Sequence, residues 1–375
     1  MAKALSVAII GTRGYPSYYG GFETAVRQIV PHLLDHGWEV TVYGRSSSIE
    51  TNRADRDARA RSVTTPGINS RSLSTLTFGF TATAAAMITR PDVALVMNVA
   101  NGYWLPMLKA RAIPTLVNVD GIEWERAKWG TVGRKIFYFG AHMVSRHANC
   151  LIYDSREIAR RWKSDFDTEG VYIPYGGTSP DVLPVEHGLR HRGYALMVAR
   201  LVPENTISEF LEAVPTIARQ YPVAIVGTSS YGSPLDAQVK ELSERLPNVT
   251  WLGHINDDQR LDSLWQHAGA YFHGHSVGGT NPALVQAMAC GAPIVARDTP
   301  YNREVLQSAG RFVAPAARQI ATGLLAVLDD AELANSLSTA AQNRAATTYT
   351  WTSVCSSYER ALTDLAHRDR TTKSH

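Results

Sequence analysis

Four stretches of this chain concentrate residues able to handle an anion. The first, IIGTRGYPSYYGGFET over residues 9–24, brackets Arg13 with Gly11 and Gly14, then runs through Tyr19 to Gly20, Gly21 and Glu23. The second, NVDGIEWERAKWG over residues 118–130, sets Asp120 beside a glycine at the end of an apolar run. The third, ARLVPEN over residues 199–205, puts Arg200 just past another apolar run. The fourth, HGHSVGGTNPALVQAMA over residues 273–289, places His273, His275, Gly278, Gly279 and Thr280 ahead of Asn281 and Pro282. A glycine-rich turn entering a helix offers unpaired backbone N–H groups and the positive end of the helix dipole, which suits a phosphate. A guanidinium at a strand's carboxyl edge can grip a diphosphate through two parallel hydrogen bonds.

Each feature also has a plainer reading. An ordinary strand-to-helix turn accounts for the first stretch as well as an anion site does, and a structural salt bridge would account for Arg200. Helix capping explains Asn281 and Pro282, but not the histidines and glycines in front of them. A single histidine is more often a core residue than a catalyst, so His273 and His275 enter as pocket candidates. Glu123 and Glu125 read as solvated or helix-capping charges. A nicotinamide site fits poorly: G-x-G-x-x-G is absent, and Gly44-Arg45 stands where NAD needs an acid, although an arginine there suits a 2′-phosphate.

The elements that must position these residues follow a repeating rhythm. LSVAII, a helix with apolar positions at Val26, Ile29, Val30, Leu33 and Leu34, and then EVTVY form a βαβ unit. DVALVMN, PTLVNVD and NCLIYDS continue it as short apolar runs of the kind a parallel sheet buries on both faces. Residues 45–71 interrupt with serine and arginine and read as a solvated excursion. Residues 174–193 read as a linker, after which YALMVAR, PVAIVG, VTWLGH, AYFHGHS and PIVAR restart the alternation. The expectation is an α/β chain of two doubly wound, Rossmann-like domains, 1–178 and 190–349, facing across a cleft. A C-terminal helix near 350–368 is expected to pack back on the first domain. Ligands in such sheets bind outside the carboxyl ends of the strands.

At 375 residues and 45% hydrophobic content the chain can bury two cores. A net charge of +3 is too balanced for bulk nucleic-acid binding. Cys150, Cys290 and Cys355 are far apart with no zinc spacing, which fits free thiols and a cytoplasmic location. No apolar run reaches membrane-spanning length, and the start of the chain reads as the first strand, not a signal peptide. RKIFYFGAHMVSRHANC puts Arg134, Tyr138, His142 and Arg146 on one helical stripe and Phe137, Ala141, Val144 and Ala148 on another. A core-facing helix with a solvated back explains this, and a helix meeting a membrane surface is the competing reading.

Taken together, the four stretches resemble the retaining, nucleotide-sugar-dependent glycosyltransferases of the GT-B fold, in particular a bacterial branch that includes rhamnosyltransferases of cell-surface polysaccharide synthesis. The resemblance reaches about residue 350. It implies a donor site of Gly20, Gly21, Arg200, Asn205, His275, Gly279, Thr280, Asn281 and Gln286. It further implies an acceptor side of Arg13, Tyr19, Glu23 and Asp120, with Asp120 and Arg200 as the catalytic pair. No cofactor or metal is expected beyond the nucleotide-sugar itself. The acceptor would be a saccharide, lipid-linked, at the inner face of the cell membrane, and no nucleic acid is involved.

The departures matter as well. The wider superfamily's Glu-x7-Glu pair falls on Gly278 and Gln286, and its phosphate-binding lysine falls on Asn205. The amide of Gln286 could still hold a ribose. Asp55-Arg56-Asp57 matches the Asp-x-Asp metal motif of other sugar-transferring enzymes but lies among arginines with no strand before it, and reads as a chance match. A catalytically silent nucleotide-sugar or partner-binding subunit is the alternative, and an NADP-dependent oxidoreductase a third.

Overall fold

The computed structural model describes residues 4–18, 20–45, 56–68, 74–126, 129–229 and 233–373. The chain divides into two compact units, Met1–Pro174 with Trp351–His375, and Tyr175–Thr350. The division falls at Pro174, so that residues 175–189 join the second unit.

In the first unit, β1 (Ser6–Ile10), β2 (Glu39–Gly44), β3 (Arg61–Thr64), β4 (Val93–Met97), β5 (Thr115–Asn118), β6 (Cys150–Tyr153) and β7 (Val171–Tyr172) form one parallel sheet in the order β3-β2-β1-β4-β5-β6-β7. Helices α1 (Gly21–Asp35), α2 (Ser74–Thr89), α3 (Leu105–Ala110), α4 (Thr131–His147) and α5 (Arg156–Phe166) connect them. Every residue of β4 and β5 is buried, as strands covered on both faces require. The 45–71 excursion proves to contain a strand: Arg61–Thr64 pairs in parallel with β2 at the sheet edge, where its polar residues stay wet. The strand order reverses between β1 and β4, which opens a crevice at their carboxyl ends.

The second unit repeats the plan. Strands β8 (Ala195–Val198), β9 (Val223–Val226), β10 (Val249–Gly253), β11 (Ala270–His273), β12 (Ile294–Arg297) and β13 (Arg311–Val313) run in the order β10-β9-β8-β11-β12-β13, all parallel, with the reversal between β8 and β11. The connecting helices are α6 (Ile207–Ile217), α7 (Pro234–Arg245), α8 (Asp258–His267), α9 (Pro282–Ala289), α10 (Pro300–Leu306), α11 (Ala317–Leu328) and α12 (Ala331–Thr348). Alternate strand residues feed opposite faces: Met197 and Phe272 join one apolar cluster with Phe210 and Leu324, while Leu196 and Tyr271 join another with Met288 and Ala341.

The last helix, α13 (Trp351–Lys373), belongs to the first unit. Its Tyr358 hydroxyl accepts a hydrogen bond of 2.7 Å from Asn118 Nδ2 at the end of β5. Where the chain enters and leaves the second unit, Gly177 pairs with Thr350. Among the described residues no helix is long and apolar enough to cross a membrane.

Candidate functional site

In the second unit the crevice lies between the loops that follow β8 and β11. Arg200 is exposed two residues past β8. Its guanidinium makes no ion pair or hydrogen bond among the described residues, so the salt bridge that would have explained it away is not there. The Arg200 backbone carbonyl accepts from Asn205 Nδ2 at 2.9 Å. Asn205 is therefore a buried brace of the arginine loop.

The two loops are laced together. Ser276 donates to the Glu204 carbonyl through both its backbone N (3.0 Å) and its hydroxyl (2.7 Å). Thr206 Oγ1 donates to the Gly274 carbonyl at 2.5 Å and accepts from Arg297 Nη1 at 2.9 Å. A Cβ on Gly274 would stand 2.3 Å from the Asn205 carbonyl, so glycine is required for this approach. Thr206 is fully buried at φ +58°, a conformation that a β-branched residue adopts only when its surroundings hold it there.

Beyond the lace, the chain turns at Gly278 (φ +102°) into Gly279, Thr280 and the N-cap Asn281, whose side chain accepts from Ala283 N at 3.0 Å. The backbone N–H groups of Gly278 and Gly279 make no hydrogen bond among the described residues. The φ of Gly278 also accounts for the missing first carboxylate, since a glutamate in that backbone conformation would be strained.

His273 is fully buried with its Nδ1 at 3.1 Å from the Tyr271 hydroxyl and its ring stacked 4.4 Å from that of His275. Burial pushes its pKa down to about 3, so it is a neutral core residue. His275 sits at the mouth, its carbonyl held by Asn302 Nδ2 at 3.0 Å.

Gln286 faces elsewhere. Its Oε1 accepts from Thr178 N at 3.0 Å, and its Nε2 donates to the Thr178 carbonyl and to Asp262 Oδ1, both at 2.9 Å. Both N–H bonds of the amide are spent, and the residue clamps the segment that enters this unit. Asp262, beneath it, has its pKa pushed up to about 6 by burial, against the hydrogen bonds from Gln286 and Cys290.

In the first unit the β1 loop is held from several sides. Gly11 has φ +93°, and a Cβ there would collide with the Met97 carbonyl at the end of β4. The buried Glu23 accepts from Arg13 N at 3.0 Å, tying the loop to the first turn of α1, whose N-cap Gly20 offers no side-chain cap. Glu23 is thus a brace of this loop. Tyr19 lies outside the described residues. Gly44 packs on Gly14, and the space among Gly11, Gly44, Arg45 and Phe78 is about 10 Å³, enough for one water and not for an adenosine 2′-phosphate.

Asp120 follows β5 at φ +66° with Arg126 Nη2 3.5 Å from its carboxylate. Arg126 also pairs with Glu123 at 2.5 Å, and Glu123 Oε2 accepts from Trp129 Nε1 at 3.1 Å. Glu123 is only 2% exposed, which corrects its reading as a solvated charge. Glu125 does pair at the surface, with Arg161. Nearby, Leu76, Phe80, Tyr103, Trp104 and Ile136 line an open apolar groove of about 690 Å³. On α4 the Arg134, Tyr138, His142 and Arg146 stripe is exposed while Ala141 and Val144 are buried, as a core-facing helix requires.

Residues 185–344 match the family described as glycosyl transferases group 1. Residues 4–178 match a domain of unknown function, DUF1972. Over 151 residues the chain is 27% identical to the O-antigen chain mannosyltransferase B of Escherichia coli, a stretch covering 38% of this chain and 39% of that protein. Over 229 residues it is 28% identical to the phosphatidyl-myo-inositol mannosyltransferase of Mycobacterium tuberculosis, covering 56% of this chain and 58% of that one. The chain thus spans well under two thirds of either relative.

Among solved structures, a sucrose-phosphate synthase from Thermosynechococcus elongatus superposes with a TM-score of 0.78 at 18% identity, covering 96% of this chain and 99% of that one. Anabaena Alr3699/HepE in complex with UDP-glucose superposes at 0.74 and 13% identity, covering 96% and 100%. These likenesses are of fold, that of two parallel-sheet α/β domains of GT-B type.

Within the matched residues 185–344, Arg200 follows β8 and His275, Gly279, Thr280 and Asn281 follow β11, the two neighbouring strands between which the strand order reverses. Asn205 supports them from below and Gln286 stands apart on the entering segment. In the other unit Gly20, Gly21, Arg13, Glu23 and Asp120 all follow strands β1 or β5. Sequence reasoning missed the Glu123–Arg126 pair, although the i,i+3 spacing of opposite charges beside Asp120 was its signal. It also missed Thr206 and Arg297, whose roles depend on a contact between distant loops.

Proposed function

We propose that the chain is a glycosyltransferase that moves a hexose, with rhamnose and mannose the leading candidates, from a nucleoside diphosphate donor to a hydroxyl of a saccharide acceptor. The observation that carries this reading is the exposed, unpaired Arg200 after β8 together with the free N–H groups of Gly278 and Gly279 after the neighbouring β11, in residues that match the group 1 glycosyl transferases. Departure of a nucleoside diphosphate develops negative charge, and a preorganised guanidinium with backbone donors offsets it most at the transition state. In this scheme Arg200 and the backbone take the part a metal plays elsewhere. Asp120, positioned by Arg126, orients the sugar or acceptor hydroxyl, and the anomeric configuration is retained.

The acceptor in this proposal is lipid-linked, and the protein works at the cytoplasmic face of the membrane. Support comes from the apolar groove along Phe80, Trp104 and Ile136, and from exposed Val132, Tyr138 and Phe139 near Arg134 and Lys135. The printed names of the relatives, O-antigen chain and phosphatidyl-myo-inositol mannosyltransferases, favour polysaccharide or glycolipid synthesis. A second reading, a catalytically silent nucleotide-sugar-binding subunit, draws on Gly278 and on the spent amide of Gln286. Titrating the purified protein with dTDP, UDP and GDP, then assaying sugar release from the matching donor, separates the two. Selective binding with turnover supports the enzyme, binding without turnover the silent subunit, and no binding defeats both.

A further inference from the structure

At the far end of α1 from the ligand loops, His32 and His36 stand one turn apart and face Glu359 of α13. Their ligand-capable atoms, one per residue, all lie within 4.8 Å of one another. His32 Nε2 is 2.8 Å from Glu359 Oε2, and the two imidazole rings are 4.2 Å apart. A carbonyl oxygen can only accept, so His36 Nδ1 must donate its proton to the His32 carbonyl at 2.7 Å. That bond fixes the His36 tautomer, leaving Nε2 with an available lone pair. A backbone-anchored imidazole of this kind is how metal-ligating histidines are commonly oriented. The groups are half-buried or exposed, so an ion can enter. They also lie at the C-terminal end of α1, eleven residues or about 16 Å along the axis from Gly21, where the helix dipole favours a cation.

We infer that His32, His36 and Glu359 form a binding site for a divalent transition metal, zinc being the best match, that clamps the chain's last helix onto α1. Two imidazole nitrogens and one carboxylate suit zinc, nickel or cobalt and not magnesium. Tetrahedral bonds near 2.0–2.1 Å set ligand atoms about 3.3 Å apart, so modest side-chain rotations close the set around an ion, with water as the fourth ligand. Metal bound at His32 Nε2 requires the neutral ring to carry its proton on Nδ1, so the ion takes the place of the hydrogen bond between Nε2 and Glu359. The bond joins residues 327 apart in sequence. It would tether α13 to the unit it completes.

The test is zinc titration of the untagged full-length protein, stripped with chelator, with melting temperature and calorimetry as readouts. Wild type should take up one equivalent of Zn²⁺ and melt at higher temperature, while Mg²⁺ leaves the melt unchanged. Co²⁺ in place of Zn²⁺ should develop the intense visible bands of a tetrahedral site. His36→Ala, at an exposed position that should not disturb folding, is expected to weaken Zn²⁺ binding at least about tenfold. Glu359→Gln should weaken it as well. Equal affinity in wild type and His36→Ala, or no saturable uptake by wild type, would overturn the assignment.

Discussion

At the scale of single residues, the proposal leans most on Arg200, because it is a charged group placed at a strand end and left without a partner among the described residues. Arg200→Ala should weaken nucleoside diphosphate binding by roughly 1.5–3 kcal/mol, the worth of a charge-assisted hydrogen bond, with little change in melting temperature. Unchanged affinity in calorimetry would remove it from the site. Gln286 behaves differently. The resemblance implies that its amide could hold a ribose, and in the structure its two N–H bonds go to the Thr178 carbonyl and Asp262. Gln286→Glu, which would restore the superfamily's carboxylate, should therefore lose those bonds, face Asp262 with a like charge and destabilise the fold by about 1–3 kcal/mol. Denaturant titration reads this directly, and a neutral result would show the amide network to be unimportant. Arg200 was legible in the sequence because a strand pattern locates its own end. The engagement of Gln286 was not, because Thr178 lies 108 residues away.

At the scale of elements, the loops after β8 and β11 are held by contacts with each other. Gly274→Ala would drive a Cβ to 2.3 Å from the Asn205 carbonyl, a backbone atom that cannot swing aside. The expected outcome is displaced loops, with nucleotide affinity falling further than stability at a fixed temperature. Thr206→Val, which removes a fully buried hydroxyl and leaves Arg297 and the Gly274 carbonyl short of a partner, should cost about 1–3 kcal/mol of unfolding free energy. In the first unit the basic, aromatic face of α4 is the element in question. Removing the charges of Arg134, Lys135 and Arg146 together should abolish association with anionic liposomes under the membrane proposal, and an unchanged vesicle pellet would refute that part of it. The helix and its two stripes were readable from 3.6-residue periodicity. The apolar groove beside it was not, because Phe80, Trp104 and Ile136 meet only when three separate segments pack.

At the scale of the whole molecule, two buried groups contribute to the acid response with opposite sign. Burial holds His273 neutral to about pH 3. The unfolded chain takes up a proton near pH 6.5 that the native state refuses, so this contribution is present above that pH and lost as pH falls. Asp262 does the reverse: its native pKa of about 6 lies above the ordinary 3.8, so the native state gives up stability as pH rises from 3.8 through 6. In wild type the two nearly cancel between about pH 4 and 6. Asp262→Asn should unmask the histidine, losing about 1.4 kcal/mol more than wild type per pH unit of acidification in that window. Denaturation curves at pH 4.5 and 6 would check it, and parallel pH profiles would contradict it.

The sequence by itself determined the two parallel-sheet domains, since short apolar runs separated by amphipathic helices bury themselves in only a few ways. It also determined the strand-end positions of Arg200, Asp120 and the glycine turns, because strand ends are local features. Tertiary structure alone decided which of those residues stay free and which are spent as braces: Arg200 open, Asn205, Glu23 and Gln286 engaged, Glu123 buried with Arg126. Partners of that kind come from loops and helices far apart in the chain, and no local pattern records them.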